Sequence, residues 1–390
     1  MSSESSEILA ISRRLLASSK LEVISCEIVQ RLWQGYGYVC RLQARGESQE
    51  NQSLIMKYVK PPPTSNIESE GHIRKVVSYE VEQYFYAKLA PLLPLNVSVA
   101  QCYKSTDNGG QVALILQDLR ETFPVAGDKR AALNAAQIHA AIRWLAHFHG
   151  HWQGKTNELR QHRLRLPPLQ EVRAFKDTTI DKGVWLNGGY TYLATRSDEY
   201  HRLCQDTTSQ WSKALCTTVP RFKQSIAERV AQVLSPATGT TRPGLEGHET
   251  LIHGDVKSEN LFTSQSGDSV AFFDFQYVGL GCGLSDLAKL LTCSVPVDML
   301  YIGQCTSNES LDMGQGEKQL LEYYRNIVEE ASSQPYPWDT FIMHWQTALI
   351  DWLRFQASWG FWGNTDWLEA RGRYILQDQD WLDWLAHAEK

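Results

Sequence analysis

Apolar and polar positions alternate along the chain in two textures. Residues 7–20 (EILAISRRLLASSK) carry apolar side chains at helical spacing and predict a leading helix. From Leu21 to about Pro61 the period shortens to two. The runs LEVISCEIVQRL, VCRLQAR and SLIMKYV predict three strands, parted by a tight turn at Gln34-Gly35-Tyr36-Gly37-Tyr38 and a polar loop from Arg45 to Ser53. A loop from Pro61 to about Gly71 leads to a helix over RKVVSYEVEQYFYAKLAPLL, with Val77, Val81, Tyr84, Phe85 and Leu89 along one side. Strand texture returns at NVSVAQCYKS and QVALILQDL, on either side of a turn from Asp107 to Gly110. A polar linker begins at Gln117-Asp118-Leu119.

Helical spacing dominates from there. Ile138, Ile142, Leu145 and Phe148 mark a helix from about Ala132 to Trp152, and further helices are predicted over DEYHRLCQDTTSQWSKALC and RFKQSIAERVAQVL. The exception is LIHGDVKSENLF (251–262) followed by AFFDF (271–275), where Ser266-Gly267-Asp268 is a turn signal between two apolar runs. That predicts a hairpin whose far end returns close to its start. Residues 341–363 are helical, with Trp345, Ala348, Trp352, Phe355 and Trp359 on related faces, and WLEARGRYILQDQDWLDWLAHAEK predicts more helix. The expected fold is α+β and bilobal: an N-terminal lobe over 1–118 with an antiparallel sheet and a helix, and a larger, mainly helical lobe over 119–390.

Composition narrows the class of protein. With 390 residues, 43% apolar and 21% charged, the chain can bury a sizeable core. A net charge of −6 without any basic block argues against a nucleic-acid partner. No apolar run is long enough for a membrane span, and MSSESSEILA lacks a cleavable signal pattern. The eight cysteines are scattered singly, without a CxxC pair, as reduced thiols in a cytoplasmic protein would be. A monomer or a homodimer is expected.

The candidate chemistry centres on Asp255, Asn260 and Asp274, which the hairpin would bring to one point. Oxygen ligands at such a point suit a hard divalent cation, leaving Asp255 to orient a hydroxyl. Upstream, Gly35 and Gly37 would let backbone N–H groups approach nucleotide phosphates, and Lys57 would add a point charge. Glu80 and Glu82 both lie on the following helix, and whichever faces Lys57 would lock it by an ion pair. The strand exit at Gln117 and Leu119 is a natural hinge that offers backbone groups to a purine edge. His147 and His151 share a helix face, but without a third ligand they read as hydrogen-bonded histidines at a helix end.

Taken together, HGDVKSEN (253–260), FDFQYVGLGCGLSDLAKLL (273–291), SYEVEQYFY (78–86) and LILQDL (114–119) resemble the aminoglycoside phosphotransferase and choline kinase-like group, and within it the ecdysteroid kinase-like branch. The resemblance implies a protein-kinase-like fold, ATP and Mg²⁺ as cofactors, Asp255 as catalytic base, Asn260 and Asp274 as Mg²⁺ ligands, and Lys57 as phosphate anchor. It favours Glu82 over Glu80 as the partner of Lys57, and implies that Asp286 braces the catalytic loop. Lys257 departs from the antibiotic-kinase pattern, looks like the lysine of a protein-kinase catalytic loop, and is a candidate contact for the γ-phosphate.

Only twelve residues separate Asp274 from Asp286, too few for a peptide-docking platform, so a small-molecule hydroxyl is the expected acceptor. In the C-terminal helix, Trp352 and Trp359 would form an aromatic box for a quaternary amine or a flat polycycle, with Asp351 and Arg354 reaching substrate or each other. Two alternatives accompany this reading: a choline or ethanolamine type kinase, and a non-catalytic nucleotide-binding pseudokinase scaffold.

Overall fold

Period-two patterning in the first hundred residues builds a five-stranded antiparallel sheet in this computed structural model, which describes residues 3–47, 50–63, 66–108, 111–174, 183–236, 245, 247–303 and 309–388. After α1 (Ser3–Leu16), strands β1 (Glu22–Arg31), β2 (Gly37–Arg45) and β3 (Asn51–Val59) pair in succession. Helix α2 (Glu70–Tyr84) crosses next. The strand β4 (Cys102–Asn108) is the far edge beyond β5 (Gln111–Gln117), giving the order β1-β2-β3-β5-β4. Strand alternation divides the side chains between two faces. Leu54, Met56, Ala113 and Ile115 pack under α1 with Ile8 and Leu16, while Leu114 and Leu116 face α2.

Element boundaries differ from the sequence reading for local reasons. Helix α1 stops at Leu16, four residues early, because the Ser19 N–H and hydroxyl both close on the Leu16 carbonyl. Helix α2 starts at Glu70, inside the expected loop, because the Ser69 hydroxyl accepts from the His72 N–H as an N-cap. It ends in a π-helical turn over Phe85–Leu89. The segment before Cys102 is not a strand, and the expected Gly109-Gly110 turn lies outside the described residues, as does Cys305.

The second lobe opens with β6 (Val125–Ala126) and α3 (Ala135–Trp152), whose N-terminus carries an Asn134/Gln137 capping box. Short helices α4 (Thr156–Leu159) and α5 (Pro168–Ala174) precede α6 (Ser197–Gln205) and α7 (Gln210–Cys216). These last two replace one expected helix, because Asp206 caps the Thr208 and Ser209 N–H groups and turns the chain. A ribbon of β7 (Thr218–Val219) and β8 (Gln224–Ser225) then leads into α8 (Ile226–Leu234), which is shorter than expected.

The central stretch forms β9 (Glu249–Ile252), the hairpin β10 (Leu261–Thr263) and β11 (Val270–Phe272), and β12 (Gly279–Cys282), which pairs antiparallel with β9. Helices α9 (Leu284–Ser294), α10 (Gln315–Ser332), α11 (Trp338–Trp359), α12 (Thr365–Gln377) and α13 (Gln379–His387) complete the lobe. Asp378 separates the last two by capping the Asp380 and Trp381 N–H groups. The expected bilobal α+β architecture is present.

One apolar core runs from α2 into the second lobe. Val81 and Phe85 share it with Leu145 and Phe148 of α3, Leu287 of α9 and Leu349 of α11. Phe85 stacks on Phe275 at 3.8 Å between ring centroids. Polar ties reinforce the junction. Glu70 accepts from the Ser197 and Asp198 N–H groups at the start of α6, Arg74 donates to the Thr195 carbonyl, and Glu80 pairs with Arg165.

Candidate active site

The β10–β11 hairpin closes the distance between the two halves of the central stretch. Phe273 N–H donates to the Asn260 carbonyl at 3.0 Å, so Asp274 follows immediately at the base of the hairpin. Asp274 sits in left-handed backbone (φ 65, ψ 56), an uncommon state for a non-glycine residue and one that recurs where structure serves a site.

Lys57 reaches this point from β3. Its ammonium donates to Glu82 Oε2 at 2.6 Å and to Asp274 Oδ1 at 2.9 Å. Glu80, two residues from Glu82, faces the other way onto Arg165. Burial opposes charging of Lys57, but Asp274 and Glu82 outweigh it and raise its pKa. The two acids respond differently. Burial pushes Glu82 up to about 7 against the pull of Lys57, whereas for Asp274 the Lys57 ammonium overcomes burial and holds the carboxyl below its usual range.

Asp255 stands on the other side of the same point. Its Oδ2 accepts from Asn260 Nδ2 at 3.1 Å and meets the Lys257 ammonium at 3.1 Å. Lys257 also lies 3.7 Å from Glu259, and the pair of acids raises its pKa against the effect of burial. Asn260 Nδ2 donates to the Asp255 carbonyl at 2.8 Å as well. These bonds leave Asn260 Oδ1 and the second oxygen of Asp274 without a hydrogen-bond partner among the described residues, both on side chains suited to a hard cation. No cluster of three His, Cys, Asp or Glu side chains that could hold a metal occurs among the described residues.

The loop 253–260 hangs from a buried polar network. Asp286 of α9 accepts from the His253 N–H at 2.7 Å and the Gly254 N–H at 2.9 Å, and from His149 Nε2 at 3.2 Å. His149 Nδ1 in turn accepts from the Tyr324 hydroxyl at 2.7 Å. Burial works against the Asp286 charge, but the His149 bond and the Lys289 charge outweigh it and keep the carboxyl low. His253 donates from Nε2 to the Phe273 carbonyl and accepts the Asp255 N–H at Nδ1, tying the loop to the hairpin. Gly254 has φ +87, and any Cβ there would collide with the Tyr277 carbonyl. His149 was the functional member of the histidine run, between the two residues the pattern singled out. His151 only approaches Lys155, at 3.4 Å.

A cavity of about 350 Å³ opens beside Asp255 and Asp274. Trp33, Lys75 and Tyr79 form its first-lobe wall. Tyr190, Arg196, Lys289, Trp352, Trp359 and Trp362 form much of the opposite wall. Both tryptophans of the expected aromatic box thus line it. Their faces already carry cations: Arg196 lies 5.2 Å over Trp359 and 3.7 Å over Tyr190, and Lys289 lies 5.9 Å over Trp352. Sequence reasoning missed Lys289, although a lysine three residues after Asp286 in an apolar helix was a visible signal. Arg196 has no comparable local signature.

Several expected site residues sit elsewhere. Asp351 and Arg354 pair with each other at 2.8 Å, Arg354 also donates to the Thr191 carbonyl, and neither lines the cavity. Their spacing of three on α11 favours that internal pair over substrate contact. The glycine turn is tightly closed. Gly35 has φ +75 and spends its N–H on the Leu32 carbonyl at 3.1 Å, while a Cβ at Gly37 (φ +137) would strike the Tyr58 carbonyl. Gly37 is therefore set by packing against β3. At the hinge, Gln117 N–H donates to Gln101, the Leu119 carbonyl accepts from Thr122 and Phe123, and the Leu119 side chain is buried in the core. Neither hinge residue lines the cavity.

Residues 36–302 match the sequence profile of the ecdysteroid kinase-like family. That span is well over half of the chain. The chain belongs to the ecdysteroid kinase-like family. No curated protein matches the sequence. Among solved structures, this ecdysteroid kinase-like protein is similar to an aminoglycoside 3'-phosphotransferase of type VIII, 14% identical, covering 96% of this chain and 98% of that one with a TM-score of 0.37. It is similar to an ethanolamine kinase from Plasmodium vivax, 13% identical, covering 92% of this chain and 82% of that one with a TM-score of 0.42. A GDP complex of an aminoglycoside 2'-phosphotransferase-IIIa is 14% identical, with 97% and 96% covered and a TM-score of 0.43. No described helix is long and apolar enough to cross a membrane.

Proposed function

We propose that this ecdysteroid kinase-like protein is an ATP- and Mg²⁺-dependent phosphotransferase that phosphorylates a hydroxyl group of a small molecule in the cytoplasm. The observation that carries the reading is the position of Lys57, whose ammonium joins Glu82 of the first lobe to Asp274 of the second. A lysine held this way has a fixed charge ready for nucleotide phosphate, and Asp255 stands opposite it beside Asn260 and Lys257.

Asn260 and Asp274 would hold Mg²⁺, which supplies charge neutralisation on the phosphates. Lys57 anchors the phosphates, and Glu82 fixes the direction of Lys57. Asp255 uses the oxygen not bonded to Asn260 and Lys257 to accept the acceptor's hydroxyl proton as the new oxygen–phosphorus bond forms and ADP leaves. Lys257 neutralises charge on the transferred phosphoryl from the Asp255 side. Asp286 and His149 are positioning residues that hold the loop.

Mg·ATP titration followed by thermal melting tests the reading, with ADP release over a panel of hydroxylated metabolites as the second arm. Stabilisation by Mg·ATP and acceptor-dependent ADP release are expected. Absence of both removes the proposal. Stabilisation without release from any acceptor would leave the pseudokinase scaffold as the better description.

A further inference from the structure

We infer that the acceptor is an anionic alcohol, its carboxylate or other oxyanion seated at Lys289 and Arg196 and its flat apolar body laid against the exposed rings of Trp33 and Trp359. The inference rests on the phosphotransferase reading above and names the class of molecule the same cavity takes.

Charge is the first reason. The cavity is lined by seven cationic side chains against three carboxylates, Asp255, Glu259 and Asp274. Lys57 and Lys257 already serve those acids at ion-pair distance. Lys289 has no such partner among the described residues. It is 4% exposed, and the bond given to its ammonium is to the Ser285 carbonyl, one turn back on α9 at 3.1 Å. Asp286 and Asp351 are its acidic neighbours, and both are occupied. The oxygens of Asp286 take the His253 and Gly254 N–H groups and His149, while Asp351 pairs with Arg354. The ammonium thus holds one neutral acceptor and the face of Trp352, with the Asp286 charge near but its oxygens taken, and an anion from solution would complete its hydrogen bonds.

Arg196 supplies the second reason. It is 1% exposed, donates from Nε to the Tyr190 carbonyl and from Nη1 to Glu199, and leaves Nη2 without a partner. Its guanidinium lies flat over Tyr190, with Phe355 and Trp359 beside it. The aromatic faces that would recognise a ligand ammonium are thus covered by the protein's own cations, which repel another one. Like charges in a desolvated pocket are costly, so a choline-like or aminoglycoside-like acceptor is disfavoured. Exposed Trp33 and Trp359 at the cavity give the acceptor an apolar surface to span.

The test uses acceptor probes matched in shape and different in charge: 4-(hydroxymethyl)benzoate, its methyl ester and the corresponding benzylamine, with cholate and methyl cholate as a polycyclic pair. Direct binding by thermal shift and calorimetry needs no turnover and separates this inference from the kinase reading. The acids are expected to bind about tenfold or more tightly than their esters, and the amine least, as for one charged hydrogen bond. Lys289→Met is expected to narrow the acid–ester gap several-fold, with Arg196 holding the remainder, Lys289→Arg to keep most of it, and both to leave the Mg·ATP dissociation constant unchanged. Should Lys289→Met fail to fold, salt titration of the native protein decides instead, because acid binding must weaken with ionic strength while ester binding does not. Equal binding of acid and ester, preference for the amine, or a gap that Lys289→Met leaves undiminished overturns the inference. So does a loss of Mg·ATP affinity in Lys289→Met, which would assign the lysine to the nucleotide. Native protein that binds the acids but not Mg·ATP would leave the anion site standing and remove the phosphotransferase.

Discussion

Two walls of one cavity handle charge in opposite ways. On the side of Asp274, Lys57 is shared between two carboxylates and Lys257 is held against Asp255, so each lysine meets an acid at ion-pair distance. On the side of α11, Lys289 rests on a main-chain carbonyl, and Arg196, paired with Glu199 through one nitrogen, leaves another without a partner. The first arrangement is complete within the chain and fixes geometry in advance, as phosphoryl transfer requires. The second keeps donors of Lys289 and Arg196 open toward the cavity. Paired charges and open donors thus sit within one pocket.

The strongest way to break this comparison is at the paired wall. Asp255→Asn keeps the shape of the side chain and removes the base. Turnover, read as ADP release, is expected to fall on the order of 10³-fold while the melting shift produced by Mg·ATP persists. Unaltered turnover would move the base elsewhere. Next in size, Lys57→Met leaves Glu82 and Asp274 facing each other in a buried site. A loss of about 3–5 kcal/mol in stability is expected from denaturant melts, together with lost transfer, and Glu82→Gln in the same chain should recover part of the stability.

A third measurement separates the two acids on that one lysine. Glu82 titrates near 7 in the fold against 4.5 ordinarily, so between those values the folded chain keeps a proton that the unfolded chain has released. Its contribution is present below 4.5 and lost as pH rises toward 7. Glu82→Gln should therefore gain on the parent by up to about 3 kcal/mol across that window. Asp274, held low, has the reverse sign: its contribution is present above the ordinary 3.8 and lost in acid. At the unpaired wall, Trp359→Ala should raise the acceptor KM about tenfold with little change in kcat or ATP affinity, since a half-exposed ring contributes about 1–2 kcal/mol of binding. The smallest effect is expected for Glu80→Gln. Arg165 keeps Glu171 as a partner at 2.7 Å, so the change should cost less than about 1 kcal/mol and leave activity intact.

Local pattern reached the hairpin at 260–274 and the sheet order of β1 to β3, because turn chemistry and strand period act over a few residues. It also reached Asp255, Asn260, Asp274 and Lys57, which the fold gathers around one point. The hinge was less legible. The Gln117 N–H and the Leu119 carbonyl are taken by Gln101, Thr122 and Phe123, partners up to sixteen residues away that no local pattern announces. Asp351 and Arg354 were polar interruptions of an aromatic stripe, and nothing in the stripe distinguishes a substrate contact from an internal pair. Arg196 illustrates the limit most clearly. Its role depends on Tyr190, Phe355 and Trp359 converging from separate elements, and the residue itself sits in an unremarkable loop.

Helix α2 belongs to the first lobe by chain order and to the second by attachment. Glu70 and Arg74 tie its start to 195–198, Glu80 ties its middle to Arg165, and Phe85 stacks on Phe275. An opening motion that carried α2 with the sheet would break all of these at once. The strands grip the same helix, with Tyr36 bonded to His72 at 2.6 Å and Gln83 donating to the Thr106 carbonyl at 2.7 Å. Sheet and second lobe are therefore geared through one helix, and Lys57, bonded to Glu82 and to Asp274, spans the same junction.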